Sequence, residues 1–308
     1  MEDQHYNGDV WNHQVSALLE MFGWKRIGDY DMDVEGSDGN KMGIDTILTF
    51  ETPLKIKPQL AILEAKRYKT TSFNKNLLQE WVERLDKKLL KLRNSASFLE
   101  KFPNVENCTA SDTGVIAIWF SDTDNYKSFY PKFIESLTQI SISTRTRKAG
   151  ISKIYVIDNK RFMRLFALQN AIRNIKENSG GEFKFLYSPK YISNATLTRL
   201  NTLTIEYMFS DIVFAEMKKA SKTVSYIFYF GQNDLNSFRL LREAYSKTVL
   251  WDKSIEIFLY VYNTDNEFRK IEHDIKEYVF DGFQISVKRM SCNNTIPDFL
   301  LNLTEDEQ

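Results

Sequence analysis

Only three histidines, His5, His13 and His273, are scattered along the 308 residues. Zinc centres and histidine-based nucleophilic triads therefore have little to build on. The two cysteines, Cys108 and Cys292, make neither a disulfide framework nor a zinc-ligand spacing. Glycine and proline, at 12 and 6, are too few for a collagenous or low-complexity chain. No glycine-rich phosphate loop of the G-x-G-x-x-G or GKS/GKT type occurs, so energy from ATP, if needed, would come from a partner. No stretch of about 18 uncharged apolar residues argues for a membrane span. The opening MEDQHYNGDV has no basic flank leading into an apolar run, as a signal peptide would. The expectation is a soluble, cytoplasmic protein with no membrane partner.

What the chain does have is apolar and aromatic content, 43% hydrophobic with 22 Phe and 15 Tyr, enough to bury a sizeable core. Its net charge of zero hides a pattern. Residues 1–60 carry eleven acids against five bases, whereas 61–93 carry nine bases against four acids. Residues 140–190 carry eleven bases against three acids, and from 201 onward the acids lead seventeen to twelve. Overall charge thus says nothing about nucleic acid. Two local segments are basic enough to form either a solvated face or a phosphate-facing patch.

Hydrophobic periodicity gives an α/β protein. An amphipathic helix over 10–22 has Trp11, Val15, Leu18, Leu19 and Phe22 on one face and ends at Gly23. MGIDTILTF (42–50) and QLAILEAK (59–66) read as paired antiparallel strands. A helix follows over 76–94 with Leu77, Trp81, Leu85 and Leu92 as its stripe. Then come a strand at 113–120, a helix near 126–139, a strand at 152–158, a helix at 161–177 and the strand EFKFLYS. The order implies an αββαβ core with a mixed central sheet. Strands at 223–231, 254–262 and 283–290, alternating with helices at 234–246 and 265–279, make a smaller C-terminal βαβαβ unit. The domains are expected at 1–198 and 199–308, with 190–222 ambiguous.

The stretch AILEAKRY (61–68) ends an apolar strand on Glu64 and Lys66. Alternation puts both side chains on one face, roughly 7 Å apart. E-x-K spacing is common; Asp158-Asn159-Lys160 has an acid and lysine at the same spacing behind another apolar run. The difference is Asp45, an acid among apolar neighbours in the preceding strand. If the strands pair through 51–58, Asp45 lies beside Glu64. Two adjacent carboxylates repel unless a proton or cation lies between them. Oxygen ligands from Asp45, Glu64 and the Ala65 carbonyl suit Mg²⁺ or Mn²⁺. Lys66 could then stabilise a metal-activated water attacking phosphorus.

Glu20 in an opening helix, Gly43-Ile44-Asp45, Glu64-Ala65-Lys66 at a strand end, and Gln79 in the next helix together resemble the PD-(D/E)xK, or restriction-endonuclease-like, nuclease superfamily. The resemblance spans roughly residues 8–160, and no proline precedes Asp45 where the eponymous motif has one. It implies that Asp45 and Glu64 bind a divalent metal and that Lys66 is the catalytic lysine. Glu20 would be an additional acidic ligand or water-orienting group, and Gln79 a supporting polar contact. It also implies a metal-dependent DNA endonuclease similar to bacterial anti-phage defence nucleases. The C-terminal unit would serve recognition, homo-oligomerisation or docking of a companion protein. Arg67, Lys69, Lys75, Arg145, Arg147 and Lys148 would contact DNA phosphates. Two alternatives stay open: a catalytically idle binding or scaffolding subunit, and an RNA-directed nuclease.

Overall fold

Helix α1 (Glu2–Met21) buries Trp11, Val15, Leu18 and Leu19 in the computed structural model, as their helical spacing predicts. It ends in a Schellman turn. Gly23, at φ +86°, donates to the Glu20 carbonyl at 2.9 Å, and the Trp24 N–H donates to the Leu19 carbonyl at 3.2 Å. The structure describes residues 2–109, 111–142, 152–188, 197–219, 222–248, 255–264 and 266–292. They form two compact units, the first running to Phe162 and the second starting at Met163. No helix among the described residues is long and apolar enough to cross a membrane.

After α1 come β1 (Lys25–Ile27), β2 (Met32–Glu35), β3 (Lys41–Ile44), β4 (Thr46–Phe50), β5 (Gln59–Tyr68), α2 (Lys75–Arg93) and the short α3 (Ala96–Lys101). The unit continues with β6 (Thr113–Phe120), α4 (Thr123–Thr138) and β7 (Lys153–Ile157). The central sheet has the order β1-β4-β5-β6-β7. β1–β4 and β4–β5 are antiparallel, while β5–β6 and β6–β7 are parallel. This is the mixed sheet anticipated from the αββαβ order. On one face, Trp11 Nε1 donates to the Ala117 carbonyl at 3.0 Å, and its ring packs on Trp119 and Phe162. On the other, Leu78, Trp81, Val82, Leu85, Leu89 and Leu92 of α2, with Phe133 of α4, pack against Ile62, Ile116, Ile118 and Phe120. Gly114 lets α2 come close, since a β-carbon there would meet Leu85 Cδ2 at 2.7 Å.

Three details depart from expectation. The segment 42–50 is not one strand: it breaks at Asp45, and β3 leaves the sheet to form a separate hairpin with β2. Leu77 is only partly buried; the stripe of α2 instead uses its neighbour Leu78. The sequence boundary at 198 also differs from the division of the described residues at Phe162 and Met163. The reason is β8 (Glu182–Tyr187), a strand expected within the first domain. It pairs antiparallel with β10 (Ile212–Lys219) in the second sheet.

That second sheet also contains β9 (Thr198–Leu200), β11 (Lys222–Tyr229), β12 (Glu256–Tyr262) and β13 (Gln284–Met290), in the order β13-β12-β11-β10-β8-β9. Helix α5 (Asn159–Ser179) precedes β8, and the short α6 (Ile205–Met208) precedes β10. The expected βαβαβ is its parallel part: β11, α7 (Leu235–Thr248), β12, α8 (Asn266–Asp274) and β13. Phe238, Leu241 and Tyr245 of α7 and Phe268 of α8 pack with Ile227, Leu259 and Val261.

Candidate active site

The row Leu60, Ile62, Glu64, Lys66 on β5 lies under α2, because alternate strand residues share a face and Leu60 and Ile62 belong to the α2 core. Its two apolar members are sealed, and Glu64 is itself only 4% exposed. Opposite it, the β4–β5 ladder ends at Thr46 paired with Leu63, so one further step of the same register sets Asp45 across from Glu64. There the Ala65 N–H takes the Asp45 carboxylate instead of a strand carbonyl, donating to Oδ2 at 2.8 Å.

Asp45 is fixed on its backbone side as well. Its carbonyl accepts from the Asp31 N–H at 2.9 Å and from Asn12 Nδ2 at 3.0 Å. Buried Asn12 in turn accepts from Thr46 Oγ1 at 2.8 Å. These bonds explain the strand break: the chain turns out of the sheet at Asp45, held by three groups. Asn12 escaped the sequence reading. Its one signal is an amide sitting on the buried side of α1 next to Trp11.

Lys66 reaches across the pair. Its Nζ is 3.1 Å from Glu64 Oε2 and 3.6 Å from Asp45 Oδ2, and it donates to the Ala65 carbonyl at 3.1 Å. A second lysine, Lys88 of α2, is ion-paired to Glu64 Oε1. In the sequence Lys88 figures only as one base among several on a helix. Its position one turn beyond Leu85 and one before Leu92 puts it at the border of the buried stripe.

The charges set one another's protonation. Burial pushes the Asp45 carboxyl above the usual carboxylate range; Lys66 opposes this and Glu64 reinforces it. Burial also works against the charge of Glu64, but Lys66 and Lys88 outweigh it and hold that carboxyl below the usual range. For Lys66, burial disfavours the ammonium, and Asp45 and Glu64 more than compensate, so its affinity for the proton is raised. At neutral pH Lys66 is a fixed cation.

The remaining sequence-predicted residues do not join this cluster. Glu20, in the Schellman end of α1, accepts from Ser16 Oγ at 3.2 Å and pairs with Arg26 Nε at 3.5 Å. Gln79 bonds the backbone of Ser141: Nε2 donates to its carbonyl at 2.7 Å, and Oε1 accepts from its N–H at 3.0 Å. It is a strap between α2 and the segment after α4. Arg67 falls on the opposite face of β5 from Lys66 by alternation. Lys69 follows the strand end and Lys75 opens α2. Arg145, Arg147 and Lys148 lie outside the described residues.

Among the described residues no group of three or more His, Cys, Asp or Glu is gathered to hold a metal ion. Two carboxylates and a backbone carbonyl are nonetheless brought together, and this all-oxygen donor set fits a hard divalent ion. Mg²⁺ in particular is bound through one or two carboxylates and keeps several waters. The Ala65 carbonyl, already turned toward Lys66 Nζ, faces the same cluster.

No curated protein matches the chain. A family model described as the GAPS4 protein PD-(D/E)XK nuclease domain matches residues 1–161, which takes in α1, the whole mixed sheet and the Asp45, Glu64, Lys66 cluster. The match takes in more than half of the 308 residues and agrees with the mixed α/β fold, so the chain belongs to the GAPS4 PD-(D/E)XK nuclease family, a bacterial anti-phage defence family.

Proposed function

We propose that this nuclease is a metal-dependent endonuclease hydrolysing DNA phosphodiester bonds, in defence of a bacterial cell against phage or plasmid DNA. The observation that carries the reading is the meeting of Asp45, Glu64 and Lys66 at one strand end, in a domain of a nuclease family. Asp45, Glu64 and the Ala65 carbonyl would hold Mg²⁺ or Mn²⁺. A divalent ion bound there supplies Lewis acidity and a water acidic enough to attack phosphorus near neutral pH. Lys66, cationic and anchored at 3.1 Å to both Glu64 and the Ala65 carbonyl, stabilises charge developing on the phosphoryl oxygens. The Ala65 N–H holds Asp45 in place, and Asn12 fixes the turn that presents it.

Of the described basic residues expected at DNA phosphates, Lys69 and Lys75 keep that assignment and Arg67, on the face of β5 opposite Lys66, does not; such contacts position nucleic acid without reading its sequence. The second unit would serve recognition, self-association or docking of a companion protein.

The test is a substrate panel. Purified chain is incubated with supercoiled plasmid, linear DNA and RNA, with Mg²⁺, with Mn²⁺ and with chelator. The expected result is endonucleolytic cleavage of DNA that needs the metal and is lost in Glu64→Gln. Cleavage of RNA alone would reassign the substrate. Cleavage that persists in chelator contradicts the metal-dependent reading. In cells, unchanged phage sensitivity when Glu64→Gln replaces the native chain contradicts the defence role.

A further inference from the structure

Both oxygens of the Glu64 carboxylate are engaged by ammonium groups, Oε2 by Lys66 at 3.1 Å and Oε1 by Lys88. All three side chains are largely out of solvent: 6% of Glu64, 17% of Lys66 and 14% of Lys88 is exposed. With Asp45, the pocket holds two carboxylates and two ammoniums, a balanced set. Adding a divalent ion to that set leaves two uncompensated positive charges in a poorly solvated place, which is strongly unfavourable. Departure of one ammonium as an ion enters halves that excess and frees a Glu64 oxygen for it.

The two lysines are not equally free to go. Lys66 is next but one to Glu64 on the same rigid strand and is held by Glu64, Asp45 and the Ala65 carbonyl. Lys88 comes from another element, α2, on a flexible four-carbon stem, and its one described polar contact is Glu64. We propose that Lys88 is a gating cation of this nuclease: it occupies Glu64 Oε1 in the metal-free chain, competes with the divalent ion for that oxygen, and swings out when the ion binds. Lys88 is thus a positioning residue and not a catalytic one. It keeps a buried acid pair compensated while no ion is present and sets the ion concentration at which the site fills. The inference rests on the metal-dependent reading above.

Two measurements on the full chain test it. The first is titration with Mn²⁺ by calorimetry, without nucleic acid. Lys88→Met, confirmed folded by circular dichroism, should bind Mn²⁺ about tenfold or more tightly than the native chain, the scale of losing one close charge pair. Lys87→Met removes the same charge from an exposed neighbouring position and should leave affinity unchanged. The second is labelling of lysine amines by an acetylating reagent, read by mass spectrometry. Lys88 should be protected in the metal-free chain and become reactive along the Mn²⁺ binding curve, while Lys87 reacts throughout. Lys88 labelling that stays flat through Mn²⁺ saturation overturns the gate, as does an affinity no tighter in Lys88→Met. If neither the native chain nor Lys88→Met binds Mn²⁺, the metal-dependent reading itself fails and the gate falls with it.

Discussion

At the scale of single residues, the same sequence feature has two different fates in this chain. Glu64-Ala65-Lys66 and Asp158-Asn159-Lys160 both follow apolar strands, yet only the first meets a second acid. Asp158 is instead consumed by structure: its Oδ2 accepts from Tyr126 Oη at 2.6 Å and its Oδ1 from the Arg161 N–H at 3.1 Å. What made Asp45 legible in the sequence was an acid among apolar neighbours in the segment before β5, and the observed antiparallel register carries it opposite Glu64. Gln79 and Glu20 were singled out only through the family pattern, and spacing along a helix does not say what the far end of a flexible side chain will bond. Gln79 is tied to the Ser141 backbone by two hydrogen bonds. Gln79→Ala should therefore cost about 1–2 kcal/mol of stability in denaturant unfolding and leave the affinity for Mn²⁺ as it was. A loss of metal affinity at unchanged stability would return Gln79 to the site.

The elements carry the next level of specification. α5 is opened by two side chains that look like surface residues in the sequence. Asp158 caps it, while Asn159 exchanges hydrogen bonds with the Phe120 backbone, accepting from its N–H at 2.8 Å and donating to its carbonyl at 2.9 Å. Asp158→Ala should lower stability by about 2 kcal/mol, through the lost cap and the lost tyrosine bond. Cleavage per folded molecule should not change, and a fall of cleavage in fully folded variant would show that Asp158 reaches the chemistry. Strand elements were read correctly where burial is uniform: β6 is buried at all eight positions and stands out as an apolar run. Sequence pattern failed at β10, whose apolar run contains Glu216. That acid is 5% exposed and is compensated by Arg199, an ion pair visible only once β9 and β10 are placed. It also failed at β3 and β4, because the break between them is made by distant Asn12 and by Asp31, not by any local turn signal.

For the molecule as a whole, the zero net charge is repeated in miniature in the buried cluster, where the formal charges of Asp45 and Glu64 face those of Lys66 and Lys88. An ion that binds the folded chain and not the unfolded one must stabilise the fold by mass action. At free Mn²⁺ one hundred times the dissociation constant the gain is about 2.7 kcal/mol. The first unit should accordingly melt at higher temperature with Mn²⁺ than with chelator, and Asp45→Asn combined with Glu64→Gln should remove the difference. Equal melting temperatures for the native chain in both conditions, under Mn²⁺ concentrations that support cleavage, would contradict a site in the folded domain. Where the units divide was hidden from the sequence, because α5 runs unbroken from Asn159 to Ser179 across Phe162 and Met163.

Whether the carboxylate pair and Lys66 form one hydrolytic centre is decided by the initial rate of plasmid cleavage at saturating Mn²⁺, compared between the native chain and Lys66→Met. Lys66→Met should still bind Mn²⁺ and fold, yet cleave about 100-fold or more slowly, as for loss of a preorganised electrostatic stabiliser. A Lys66→Met chain that cleaves at the native rate would contradict that single centre.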